Sequence, residues 1–156
     1  EHPQALQDSI DAIRQADIIV IGPGSLYTSI IPNFLVDGIS EAIRSSGAVR
    51  EYILNIMTQD GETDGYTGED HVRALLEHAG GDVIDVCIAN NAPVPEKWLA
   101  PYRQEGVGPI EVDRAGIEAL GVAVREFPLC RPGRYIRHDA DALSRAILSV
   151  WREFEA

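Results

Sequence analysis

The eight residues "GPGSLYTS" at 22–29 follow the apolar run "IIVI" and carry two glycines and four hydroxyl side chains. A turn of this composition at the end of a buried strand presents the backbone N–H groups of Gly24 and Ser25. The hydroxyls of Ser25, Thr28 and Ser29 stand alongside, and the set suits a phosphoryl or sugar oxygen. Gly22 lets the chain approach a ligand closely, and Tyr27 and Asn33 are expected on the same rim. Two phosphate loops of known mechanics do not fit. The dinucleotide fingerprint needs a third glycine where Tyr27 stands, Pro23 has no N–H to donate, and the next strand ends in Asn55 instead of an acidic residue for the ribose. The ATP-type loop needs a following Gly-Lys-Ser/Thr, which this stretch lacks.

A second polar loop, "MTQDGETDGYT" at 57–67, offers Thr58 and Gln59 as neutral hydrogen-bonding groups beside Asn55, and Glu62 and Asp64 as acceptors for sugar or ribose hydroxyls. Asp60, Glu62, Asp64 and Gly65 imitate a calcium loop, but His71 occupies the position that requires a bidentate Glu, and a strand precedes the loop. Asp60 either lies in solvent or shares a magnesium ion with a substrate phosphate. His2, His71, His78 and His138 have no metal-ligand spacing and read as neutral surface or structural residues, with Asp139 of "RHD" as a helix cap. Ser25 has no His–Asp pair at a workable spacing, so no catalytic residue is assigned.

These loops need a scaffold. "QALQDSIDAIRQ" has helical spacing at Leu6, Ile10 and Ile13, and "IIVI" reads as a buried strand. "PNFLVDGISEAIRSS" predicts one helix and "AVREYILNI" a strand. Thr67 and Asp70 form a capping box for a helix ending at Gly80–Gly81, and "DVIDVCIAN" supplies a third strand before the loop "NNAPVP". A short helix broken before Pro101 follows, then strands at "GPIEVD" and "GVAVREF" around "RAGIEAL", and a closing helix in "DALSRAILSVWREFE". Such alternation predicts a mainly parallel sheet with helices on both faces, in a single α/β unit over 1–156. Ligands gather at the carboxyl ends of such strands, where all three unusual loops fall.

Composition bounds the rest. A chain of 156 residues with 45% hydrophobic content buries one core, and no stretch is apolar enough for a spanning helix. The net charge of -12 repels nucleic acid and anionic membranes, while a phosphate held by local N–H groups remains compatible with it. Cys87 and Cys130 imply neither a disulfide framework nor a zinc site, and a cytoplasmic location is expected. Starting at Glu1 without a signal sequence, the chain reads as a segment of a longer protein.

"ADIIVIGPGSLYTSIIPNFLV", "NIMTQDGETDGYT", the following "HV" and the late "RHD" resemble the bacterial gluconeogenesis factor family, relatives of the 2-phospho-L-lactate transferases. The likeness spans nearly the whole chain. It departs from the family at Asp60, where a proline is usual, and these residues contain no counterpart of the family's glycine-rich "GGGTG"-type loop. The resemblance implies a Rossmann-like fold, present here as the carboxyl-terminal half of a larger one, and a cytoplasmic protein that binds a nucleotide or a nucleotide sugar such as a UDP-sugar. It implies a regulator linked to cell shape and envelope synthesis, with a transferase acting on a deazaflavin as the alternative, and magnesium expected only under that alternative. A sheet cut in this way leaves an open strand edge, so a homo-oligomer is expected, with Leu6, Ile10 and Ile13 facing a neighbour.

Overall fold

The first helix, α1 (Gln7–Gln15), buries none of its residues, and only Ile13 reaches the core from one side. Strand β1 (Ile18–Ile21) runs from there to the Gly22 turn, where φ is +89° and a left-handed backbone excludes side chains with a Cβ. The description that follows rests on a computed structural model and covers residues 3–103, 106–131, 133 and 135–155.

The stretch read as one helix after β1 is three pieces. A π-helical turn (Leu26–Ile30) runs into α2 (Ile31–Phe34), the chain breaks, and α3 (Ile39–Ser45) begins. Pro32 has no N–H and is tolerated in the first turn of α2, while Gly38, at φ +96°, interrupts the helical path before α3. Asn33 closes the π-helical turn by donating from Nδ2 to the Ser29 and Ile30 carbonyls at 2.7 and 3.2 Å.

Strand β2 (Val49–Ile53) leads through the second loop to α4 (Gly68–Ala79), whose start follows the sequence closely. Thr67 accepts from the Asp70 N–H, Asp70 accepts from the Thr67 N–H, and Gly80 ends the helix in the left-handed region. Strand β3 (Val86–Asn90), α5 (Glu96–Arg103), α6 (Arg114–Ala119) and β4 (Ala123–Phe127) complete the alternation. Two expectations need correction. Helix α5 continues through Pro101. Residues 108–113 form no strand: Pro109 has no N–H, Asp113 turns the chain at φ 46°, and the segment bonds piecemeal to Thr58, Ile56 and Gly68. A short antiparallel pair, β5 (Cys130–Arg131) with β6 (Arg137–His138), precedes α7 (Ala140–Glu155), where the Ala142 N–H donates to Asp139 Oδ1 at 2.9 Å.

The sheet has the order β1-β2-β3-β4, parallel throughout. Because side chains alternate across a strand, Tyr52, Cys87 and Ala89 face one way and Ile53, Val86 and Ile88 the other. The first set packs with Phe34, Ile43, Leu75 and Ile117 of the helices α2, α3, α4 and α6. The second packs under Leu143, Ala146 and Val150 of α7. Helices therefore cover both faces, but α7 does not reach Val20, which is 42% exposed on β1, and β1 pairs with β2 alone. Among the described residues no helix is long and apolar enough to cross a membrane.

Candidate functional site

At the carboxyl ends of the strands the first two loops are tied together. Asn55 donates from Nδ2 to the Gly24 carbonyl at 2.8 Å, and Gln59 donates from Nε2 to Ser25 Oγ at 2.9 Å. The second loop is braced in turn by the Gln59 N–H on Thr63 Oγ1 and by Thr58, whose N–H and Oγ1 both engage Gly108. Polar side chains that otherwise would compete for water are thereby fixed before any ligand arrives.

A cleft of about 640 Å³ opens over these residues. Gly24, Ser25, Asn55, Thr58 and Gln59 line one side, as the sequence leads one to expect of a common rim. Three residues not anticipated there line the other: Tyr102, Arg137 and His138. Tyr102 accepts the Ile136 N–H on its hydroxyl at 2.8 Å, which anchors the β6 segment to α5. His138 places Nε2 3.1 Å from the Leu54 carbonyl, so that nitrogen carries the proton, and burial lowers the pKa and keeps the ring neutral. Arg137 forms no ion pair among the described residues, whereas Arg50, Arg114 and Arg125 are each tied to carboxylates. Among the described residues no Asp or Glu contributes to the lining, so in a chain of net charge -12 this cleft is a local exception that suits an anion. The "RHD" triplet held the only sequence signal for Arg137, and its neighbour's role as a helix cap masked it.

The other expected residues lie elsewhere. Gly22, Ser29 and Asn33 line a second cleft of about 390 Å³ beside β1, with Ile19 and Phe34 among its apolar walls. Tyr27 turns towards the second loop, where its hydroxyl is 2.8 Å from that of Tyr66 and its ring meets His78 edge-on. The Tyr66 hydrogen bond and burial push the Tyr27 pKa up to about 12. Thr28 is exposed on the π-helical turn, Asp64 is exposed, and Glu62 is half-buried with one carboxylate oxygen buried and unpaired. Ser29 stays close to the first loop, its N–H donating to the Ser25 carbonyl at 2.9 Å, but it lines the second cleft.

His71 is fully buried and not at the surface as expected: Nδ1 bonds the Thr67 carbonyl at 2.8 Å, and burial lowers its pKa. His78 is exposed, and His2 lies outside the described residues. Among the described residues no group of three or more His, Cys, Asp or Glu is placed to hold a metal ion. A magnesium ion here would depend mainly on ligand phosphates and water for its coordination.

A parallel sheet flanked by helices, with a cleft over its strand ends, defines a Rossmann-like α/β protein. A family model described as 2-phospho-L-lactate transferase CofD matches residues 1–130. The chain is 45% identical over 144 residues to the gluconeogenesis factor of Halalkalibacterium halodurans, covering 92% of this chain and 45% of the relative. It is 40% identical over 154 residues to the gluconeogenesis factor of Bacillus subtilis, covering 98% of this chain and 49% of the relative. A crystal structure of a UPF0052 family member from Bacillus halodurans superposes with a TM-score of 0.90 at 45% identity, over 93% of this chain and 47% of that one. The chain belongs to the gluconeogenesis factor family, within the wider CofD group, and spans about half the length of these relatives.

Proposed function

We propose that the chain supplies the phosphate-holding part of a binding site for a nucleotide sugar, a UDP-sugar in the first instance, in a cytoplasmic regulator of the gluconeogenesis factor type linked to cell shape and envelope synthesis. One observation carries the reading: the cleft over the strand ends is lined by Arg137, backbone and neutral polar groups and, among the described residues, by no carboxylate. Arg137 and the Ser25 hydroxyl take phosphate oxygens, while Asn55, Thr58 and Gln59 supply neutral hydrogen bonds. A second α/β segment, equivalent to the part of the relatives that this chain does not span, completes the site.

Removing a hydrogen bond to a charged phosphate costs about 1.5–3 kcal/mol, or roughly tenfold to a hundredfold in affinity. Calorimetry with UDP-sugars on Arg137→Ala and Ser25→Ala is therefore expected to show losses of that size. Unchanged affinity in both variants rules the assignment out. The second reading, transfer of a phospholactyl unit to a deazaflavin, is favoured by the description of the family model. It requires product formation with magnesium present, and a chain that binds nucleotide sugars without turnover counts against it.

A further inference from the structure

We infer that Arg131 is a second guanidinium of the anion cleft, paired with Arg137 across the β5–β6 ribbon so that the two clamp neighbouring phosphoryl groups, one arginine to each; this rests on the phosphate reading above. The ladder register sets Arg131 directly opposite Arg137 and Cys130 opposite His138. Directly opposed residues of an antiparallel pair share a face, with Cβ atoms about 5 Å apart, and successive residues alternate between faces. His138 is turned inward onto the Leu54 carbonyl, so both arginines stand on the outer face, and both are exposed. Arg137 also lines the cleft, which puts the pair at its mouth.

Like charges directly opposite one another weaken a ladder, and a ribbon of two residues per strand is marginal to begin with. Elsewhere the chain neutralises its arginines: Arg50, Arg103, Arg114 and Arg125 each bond a carboxylate. With 25 acidic side chains to 13 lysines and arginines, partners are plentiful, yet among the described residues neither Arg131 nor Arg137 meets one. Arg137 lies instead against the Tyr135 ring, 5.6 Å from its centroid, a contact that orients the guanidinium and leaves its N–H groups unspent. Two such forks side by side suit a ligand with two adjacent negative charges, because each can hold a phosphoryl group by two parallel hydrogen bonds. A phosphate monoester offers fewer free oxygens than two such pairs require. An anion seated there also turns the repulsion across the ladder into attraction.

The test is an NMR and calorimetric titration of the 156-residue chain with pyrophosphate and with methyl phosphate. Pyrophosphate is expected to shift the side-chain Nε–H signals of both arginines and the Ser25 amide, and to bind about tenfold more tightly than methyl phosphate. Arg131→Gln and Arg131→Glu are expected to bring that ratio down to about one. The Ile136 amide, held by the Tyr102 hydroxyl, is expected to keep its position in both variants and so to report an intact ribbon. A parent that binds the two anions equally, or a ratio that survives both variants, overturns the clamp and leaves the anion cleft standing. A ratio lost only together with the Ile136 amide position makes Arg131 a structural residue and overturns the clamp as well. Shifts at the arginines without one at Ser25 uphold the clamp and remove Ser25 from the phosphate site. Pyrophosphate that shifts neither overturns the anion reading, and the clamp falls with it.

Discussion

Glu51 is the residue whose chemistry departs furthest from its type. It sits on β2 between Val20 and Val86, fully buried, and neither carboxylate oxygen has a hydrogen-bond partner. Burial pushes its pKa up to about 7 from the ordinary 4.5 of a glutamate side chain. Below the lower value both the folded and unfolded chains hold the proton, and the neutral carboxyl is tolerated. As pH rises towards 7 the unfolded chain ionises while the folded chain does not, so stability falls, by on the order of 3 kcal/mol across the window. Urea unfolding is expected to show Glu51→Gln close to the parent at pH 5 and clearly more stable at pH 8. A parent curve that is flat between those pH values removes the argument. His71 acts with the opposite sign: its lowered pKa means that its contribution is present above its unfolded value and lost as pH falls through the folded one.

Among the elements, α4 shows why some of the fold was legible. Its boundaries depend on Thr67, Asp70 and Gly80, which act within a turn of themselves, and the capping box lies where the spacing puts it. Thr67→Ala is expected to cost about 1 kcal/mol in chemical denaturation. The first residue of the helix carries a constraint that spacing does not reveal. A Cβ on Gly68 would collide with the Val112 carbonyl and press on Leu54 and Ile117. Gly68→Ala is therefore expected to destabilise by about 1–3 kcal/mol although alanine is the better helix former, and a stabilised variant would refute the packing account. The elements misread are those decided by distant partners. Residues 108–113 have the apolar alternation of a strand, yet they serve as a brace between Thr58 and Gly68. The β5–β6 pair is too short to announce itself and owes its place to Tyr102 and Leu54.

At the scale of the molecule, that the candidate loops fall at the strand ends follows from a parallel sheet, and this much the alternation of apolar runs foretold. Which residues share one cleft did not follow. Ser29 and Asn33 line the second cleft while Ser25 lines the first, and Arg137 arrives from the far end of the chain. The open edge of β1 is the second large-scale feature. With Val20 42% exposed on that strand, sedimentation of the 156-residue chain is expected to show self-association, and Val20→Lys to shift it towards monomer. A parent that sediments as a monomer at all concentrations discards this expectation.

The cleft draws on the first loop and on the last strand of the chain, with Gly24 on one wall and Arg137 on the other. A molecule seated between them is a clasp: the amino-terminal turn and the ribbon before α7 cannot part without releasing it. At a free concentration a hundred times its dissociation constant, such a ligand adds about 2.7 kcal/mol to the folded state. Where cleavage is slow against closing, digestion by a protease follows the population of open chain, so the same ligand slows it about a hundredfold. Resistance to a protease then becomes a readout of how fully such a cleft is occupied.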